Sequence, residues 1–332
     1  MSAPAIALDR IGKLFVQPLD LASRAANLFG AGVEEIVVHA VDDVTFDVGE
    51  SEIVGLIGES GSGKSTLGRI IAGIYPPSRG TVRCHGRSMQ ELDGAERLAA
   101  TLKIQMVFQD PMASLNPRMR VVDIVGEAPV VHRIVSRVER NAYVDGLLAR
   151  VGLDPSYRFG YPHQFSGGQR ARIGIARSLA VKPDILICDE AVAALDASIQ
   201  AQVLNLFVKL RDELKLTYLF ISHDLGVVKH LSDRVVIMYL GRVVEVAPTP
   251  DLFRLPNHPY TQALLANVPV LEENRRAFQP IKGEMPSPIH PPSGCYFHPR
   301  CPHAMVRCRI ERPALKEIAP GRLSACHLND VG

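Results

Sequence analysis

The sequence predicts an α/β domain on a largely parallel sheet over residues 1–247, followed by a small Pro- and Cys-rich C-terminal domain over 248–332. Three observations carry this reading. From about residue 33 to 247, short apolar runs of strand length alternate with longer helical ones. A glycine-rich turn at 58–63 joins one such strand to a helix. Four of the six cysteines and 14 of the 24 prolines fall after residue 247, in about a quarter of the chain.

Taken in order, strands are expected at 53–57, 103–108, 185–188, 218–221 and 235–239. Helices are expected at 64–74, 142–150, 168–180, 198–214 and 225–231. Pro76 and Pro77 are expected to close the first helix, since proline cannot continue one. After 247 the segments are short and proline-punctuated, so the tail is expected to need a crosslink rather than a large core. No internal repeat is evident.

Charge and hydropathy narrow the classes. With 37 Lys+Arg against 35 Asp+Glu the net charge is +2, which argues against nucleic-acid binding driven by bulk charge. A chain that is 47% hydrophobic and 22% charged is neither disordered nor fibrous. Its longest apolar runs are strand-length, short of the ~20 residues that cross a bilayer. The first 30 residues mix acidic and basic side chains with no apolar leader. A cytoplasmic protein is expected.

The chemistry starts at the glycine-rich turn. Gly58, Glu59, Ser60, Gly61, Ser62, Gly63, Lys64, Ser65 and Thr66 match G-x-x-x-x-G-K-[ST] between a strand and a helix. Glycines let successive N–H groups face a phosphate, the helix start adds its positive dipole, and the Lys64 ammonium reaches the β- and γ-phosphates. Ser65 is the expected magnesium ligand. A strand ending in two carboxylates is commonplace alone, but in a chain with a phosphate loop Asp189 is expected to hold magnesium through its water shell. Glu190 is then placed to orient and polarise the attacking water. Gln109 and His223 also follow apolar strands, at the sheet edge where α/β ligands bind. His223 is expected on the γ-phosphate, and Gln109 on magnesium or water. Ser166, Gly167, Gly168 and Gln169 open a second helix suited to an anion, so one chain offers two phosphate-binding ends and one phosphate loop. Two copies head to tail would complete two shared sites.

This set, with Ala194-Leu195-Asp196 and in this order, resembles the ATPase subunits of ABC transporters over residues 40–225. The segments 109–118, 161–170, 257–265 and 294–302 resemble the dipeptide/oligopeptide importers within that superfamily. The resemblance implies a P-loop NTPase with a RecA-like core and a helical subdomain at roughly 110–165. It implies ATP and Mg2+ as cofactors, a second ATPase subunit, two transmembrane permeases, an extracytoplasmic binding protein acting indirectly, and no nucleic acid. The subunit would sit peripherally on the cytoplasmic face of the inner membrane and hydrolyse ATP to drive peptide import. By the same resemblance, Gln109 and the residues after it sense nucleotide and face the permease. Asp196 lies at the dimer seam, Ser166 to Gln169 contact the partner's γ-phosphate, and Phe15 either stacks on adenine or is core.

Two positions depart from the family pattern: Ala191 replaces a proline and Ala193 a serine. They leave open a slow site, or a non-hydrolysing partner of a second ATPase. An importer of nickel complexes or sugars, or a soluble non-transport ATPase, would carry much the same ATP engine.

Cys295, Cys301, Cys308 and Cys326 supply four soft ligands. No C-x2-4-C pair of the usual zinc kind occurs among them. The importers this tail resembles carry a 4Fe-4S cluster there, and the wide spacing suits its footprint. Zinc assisted by His298, His303 or His327 would use the same ligands, and free or disulfide-bonded thiols would need no metal. Cys84 and Cys188 read as buried small hydrophobes.

Overall fold

The computed structural model describes residues 3–266 and 283–330, so short stretches of both expected domains lie outside the described residues. Its strands are β1 (Ile6–Gln17), β2 (Ile36–Val48), β3 (Ile53–Ile57), β4 (Arg79–Cys84), β5 (Arg87–Ser88), β6 (Ile104–Val107), β7 (Ile185–Asp189), β8 (Thr217–Ser222), β9 (Arg234–Tyr239), β10 (Arg242–Pro248), β11 (Lys316–Ala319) and β12 (Arg322–Ser324). They form an eight-stranded sheet in the order β11-β12-β10-β9-β3-β8-β7-β6 and a four-stranded sheet in the order β2-β1-β4-β5.

The expected strands at 53–57, 103–108, 185–188, 218–221 and 235–239 are the parallel half of the large sheet. β3, β7 and β8 are buried at every residue, as continuous apolar runs in a two-sided parallel sheet should be. Register then places the chemistry. Ile57 pairs with Ser222, Asp189 with Ile221, and Val107 with Cys188. The residues just beyond these strand ends therefore share one edge.

The first helix ends earlier than expected. It runs Lys64–Ile71, and Gly73 in a left-handed conformation (φ 73°) turns the chain before Pro76 is reached. The antiparallel sheet is a larger difference, because its strands are half-exposed and broken by register shifts at Leu8/Ile11, Ile11/Lys13 and Lys13/Leu14. Helices Val121–Val131, Arg140–Arg150 and Gly167–Leu179 pack together through Val125, Val144, Leu148, Ile173 and Ala176.

The tail is tied into the body rather than merely appended. β12 pairs with β10 through Glu245–Ser324 and Val246–Leu323, so β11 and β12 extend the main sheet. Tyr260 and Phe297 pack edge-on against Tyr239, with centroids 4.7 and 5.2 Å away, and the Tyr296 hydroxyl donates to Asp42 at 2.8 Å. Burying aromatic rings of this size supplies the apolar area that proline-rich segments lack. Glu245, almost wholly buried, accepts the N–H groups of Asn257 and His258 at 2.8 and 2.9 Å and so organises the start of helix Pro259–Ala266. Among the described residues no helix is long and apolar enough to cross a membrane.

His258 is fully enclosed and its Nδ1 accepts the Tyr260 N–H at 3.0 Å. Burial lowers its pKa from 6.5 to about 4. The unfolded chain therefore binds a proton that the folded one refuses, and stability falls as pH drops from 6.5 towards 4. The contribution is about 3 kcal/mol. Urea unfolding at several pH values should show this segment of the pH profile flattened in His258→Asn, which keeps an acceptor for Tyr260.

Candidate nucleotide site

β3 hands the chain to the loop at 58–63 and helix Lys64–Ile71. Gly61 (φ 81°) and Gly63 (φ 97°) take the left-handed conformations that the tight loop requires. A Cβ at Gly58 would lie 2.2 Å from the Met238 carbonyl oxygen and 2.6 Å from Ser62 Oγ. The Lys64 ammonium folds back into this loop and donates to the carbonyls of Gly58 and Glu59 at 2.7 and 2.9 Å. Burial lowers its pKa, opposed by the carboxylates of Glu190, Asp189 and Glu59. A phosphate at the loop would offer this buried cation a charged partner. Ser62 is buried, Ser60 is exposed, and Thr66 is half-buried.

Ser65 Oγ donates to Asp189 Oδ1 at 2.7 Å. Burial raises the Asp189 pKa, while Ser65, Arg69 and Lys64 act to lower it. Two hard oxygens side by side suit a magnesium ion that keeps several waters and takes its other ligands from phosphate. Among the described residues no group of three or more His, Cys, Asp or Glu surrounds a single-ion position.

Glu190 follows with a φ of 49°, a left-handed conformation that costs a non-glycine residue about 1–3 kcal/mol. Its N–H donates to the Ile221 carbonyl at 3.0 Å, and its own carbonyl accepts the Ala193 N–H at 3.0 Å. This turn forms with Ala191 packed into the core and with no proline or serine needed. The Glu190 carboxylate receives Gln109 Nε2 at 2.8 Å and lies 3.3 Å from His223 Nδ1. Gln109, expected at magnesium or water, thus turns its amide to Glu190. A carboxylate aligned by an amide on one oxygen and an imidazole on the other can orient a water for in-line attack.

The helix start at Ser166 to Gln169, expected to suit an anion, is built by a reciprocal cap. Ser166 Oγ accepts the Gln169 N–H at 3.3 Å, and Gln169 Oε1 accepts the Ser166 N–H at 2.9 Å. Gly168 is pressed against Ile199, where a Cβ would meet Cγ2 at 2.4 Å. Asp196 caps the helix Ala197–Leu214 that carries Ile199, accepting the Ile199 N–H at 3.0 Å. These residues therefore neighbour one another. Phe15 is about one-third exposed on β1, set edge-on to Tyr75 at 5.5 Å, with the Lys13 ammonium 5.1 Å from its centroid.

Residues 41–193 match the ABC transporter family, and residues 244–308 match the oligopeptide/dipeptide transporter C-terminal region. The chain is 50% identical to the putative oligopeptide transport ATP-binding protein YkfD of Bacillus subtilis, over 94% of this chain and 95% of the relative. It is 51% identical to the oligopeptide transport ATP-binding protein AppF of the same organism, over 88% and 90%. The chain belongs to the ATP-binding subunits of oligopeptide and dipeptide ABC transporters.

Solved ABC structures are similar to this ATP-binding subunit. They include cbiO1 of Clostridium perfringens (25% identity, TM-score 0.62, 76% of this chain and 91% of that one). A dimeric, post-hydrolysis form of the cassette MJ0796 bound to ADP and Pi matches at 27% identity and TM-score 0.62, over 74% and 98%.

The six cysteines of the subunit are free thiols only in the sense that none is bridged; Cys84 and Cys188 lie inside the core, where burial pushes the Cys84 thiol up to about 11 and raises that of Cys188. In the tail, burial pushes Cys295 up to about 11 and raises Cys301 and Cys326, and Cys295 interacts electrostatically with all three other tail cysteines. Among the described residues no group of three or more His, Cys, Asp or Glu is placed to hold a metal ion, so neither the zinc nor the cluster arrangement is formed there. His298 Nδ1 is 2.9 Å from the Cys295 carbonyl oxygen, and His327 is bonded to the Glu311 carbonyl at 3.0 Å and to Asp330 at 3.4 Å.

Sequence reasoning missed three residues that bear on the loop: Tyr260, Tyr239 and Arg300. The Glu59 N–H donates to Tyr260 Oη at 2.9 Å, and Arg300 Nη1 donates to the Glu59 carboxylate at 3.1 Å. The sequence signals were the segments 257–265 and 294–302, which carry Tyr260 and Arg300 but do not reveal their partner. Gly58→Ala should weaken magnesium-ATP binding by about tenfold, the equivalent of one lost charged hydrogen bond. Calorimetric titration of the purified chain checks this.

Proposed function

We propose that this chain hydrolyses ATP to power the import of short peptides through an ABC transporter. The observation that carries the reading is the meeting of Gln109 and His223 on Glu190, at the same sheet edge as the Lys64 loop and the Ser65–Asp189 pair. The peptide cargo is supported by the names of the relatives and by the match of residues 244–308.

In this reading residues 58–66 hold the phosphates and Phe15 takes the adenine. Ser65 and Asp189 hold magnesium, which neutralises phosphate charge. Glu190 polarises the water, Gln109 fixes its carboxylate, and His223 reaches the γ-phosphate. Ser166 to Gln169 and Asp196 face a second ATPase subunit, whose phosphate loop they complete. Residues 110–165 dock on two permeases, which receive cargo from an extracytoplasmic binding protein, and the chain works at the cytoplasmic face of the inner membrane. Residues 1–247 are the engine and 248–332 the importer-type tail. The formed turn at Glu190 favours hydrolysis over a purely regulatory role.

The four tail cysteines also fit the 4Fe-4S cluster that the family resemblance implies. Each of the four thiols lies near a backbone N–H. The Phe297, His303 and Leu328 N–H groups face Cys295, Cys301 and Cys326, and the Met305 N–H points at Cys308 Sγ at 3.5 Å. Such donors stabilise thiolates and tune cluster potentials. When bound, the cluster supplies a crosslink among the tail segments.

Glu190→Gln should lower ATP turnover by about 10²–10⁴-fold while retaining ATP binding. Phosphate release beside equilibrium nucleotide binding checks this, and persistent turnover removes Glu190 from the role. Chain purified without air should be brown, with iron and acid-labile sulfide in equal amounts. Colourless protein carrying stoichiometric zinc would refute the cluster.

A further inference from the structure

Glu59 is the second residue of the phosphate loop, and three of its groups are held at once. Its carbonyl accepts the Lys64 ammonium at 2.9 Å. Its N–H donates to Tyr260 Oη at 2.9 Å, and its carboxylate takes Arg300 Nη1 on both oxygens at 3.1 Å. The last two partners come from residues 201 and 241 positions further along the chain. Neither is a surface accident. Tyr260 is fully buried, and the Arg300 side chain is only 6% exposed. Arg300 also reaches Tyr239 Oη at 3.5 Å, on the strand that pairs with β3 next to the loop.

We propose that Arg300 and Tyr260 are positioning residues for nucleotide binding: the tail braces the phosphate loop through Glu59. Two physical consequences support this. A phosphate entering the loop competes with the Gly58 and Glu59 carbonyls for the Lys64 ammonium and so weakens that internal tie. A residue 59 pinned from outside keeps the loop open without that tie, which lowers the ordering cost of binding. Arg300 also neutralises a carboxylate beside the seat of a highly charged triphosphate. Without it, Glu59 would stand as a partly buried anion without its ion-pair partner, repelling the ligand.

The charge argument makes a demand that a merely structural bond does not. Removing Arg300 alone should harm ATP binding more than removing Arg300 and the Glu59 charge together. The inference rests on residues 58–66 being the nucleotide loop, which Lys64→Ala tests separately.

The experiment is calorimetric titration of the purified full-length chain with magnesium-ATP, beside thermal unfolding without nucleotide. Arg300→Gln should raise Kd about tenfold, and Tyr260→Phe about fivefold. Arg300→Lys, which keeps the charge, should lie within about threefold of the parent, and Arg300→Gln combined with Glu59→Gln should bind more tightly than Arg300→Gln alone. An Arg300→Gln variant within about twofold of the parent, or a double variant no tighter than Arg300→Gln, overturns the proposal. A lowered unfolding temperature with unchanged Kd does so too, since it marks a structural bond only. If Lys64→Ala loses ATP while Arg300→Gln keeps it, the brace alone fails. If Lys64→Ala binds as the parent does, the nucleotide-loop reading fails and the brace with it.

Discussion

The parallel register of β3, β8, β7 and β6 is the constraint on which the rest depends. Because Ile57 sits opposite Ser222, Asp189 opposite Ile221 and Val107 opposite Cys188, the four strands end almost level. Whatever follows each strand must emerge at the same edge. Lys64, His223, Glu190 and Gln109 come from segments spread over more than 150 residues, and none could find another without that alignment. A parallel pair slipped by one residue would also turn each buried apolar side chain to the opposite face. The apolar runs that make the core and the register that makes the site are therefore one property.

This explains why the site was legible in the sequence. Each of its parts is a strand end followed at once by a polar residue, and the phosphate loop has fixed internal spacing. Local pattern was enough to single out Gly58 to Thr66, Asp189, Glu190, Gln109 and His223 as candidates, and the structure brings them to one sheet edge. What local pattern could not supply was the partner of each side chain. Gln109 turns its amide to Glu190, a contact 81 residues away in sequence. The antiparallel sheet was not legible for a different reason. β1 and β2 are long, half-exposed and broken by register shifts, so neither periodicity is sustained along them.

The tail was the least legible part, and its physics differs from what its composition suggested. Proline and cysteine density pointed to a segment held by a crosslink. The structure adds a second source of order: Tyr260, Tyr296 and Phe297 are buried against β9 and β10, and two strands join the main sheet. Those aromatics were visible in the sequence, but their destination lies at long range. Glu245 shows the same limit. A single acidic residue inside an apolar strand looks like a solvated position, yet it is buried because it caps the start of the segment carrying His258 and Tyr260.

That burial gives the segment 257–265 a physical meaning. Glu245 fixes the backbone at Asn257 and His258, His258 Nδ1 fixes the Tyr260 N–H, and Tyr260 in turn meets the backbone of the phosphate loop. Each bond in this series leaves its donor or acceptor buried, so breaking one exposes the next to an unpaired polar group in the interior. The series runs from β10 of the main sheet to Glu59, and Arg300 reaches the same residue from the cysteine-bearing segment. The tail thus contacts the glycine-rich loop at two chemically different points on one residue. A region whose only role was to decorate the engine would have no reason to concentrate its buried polar bonds there.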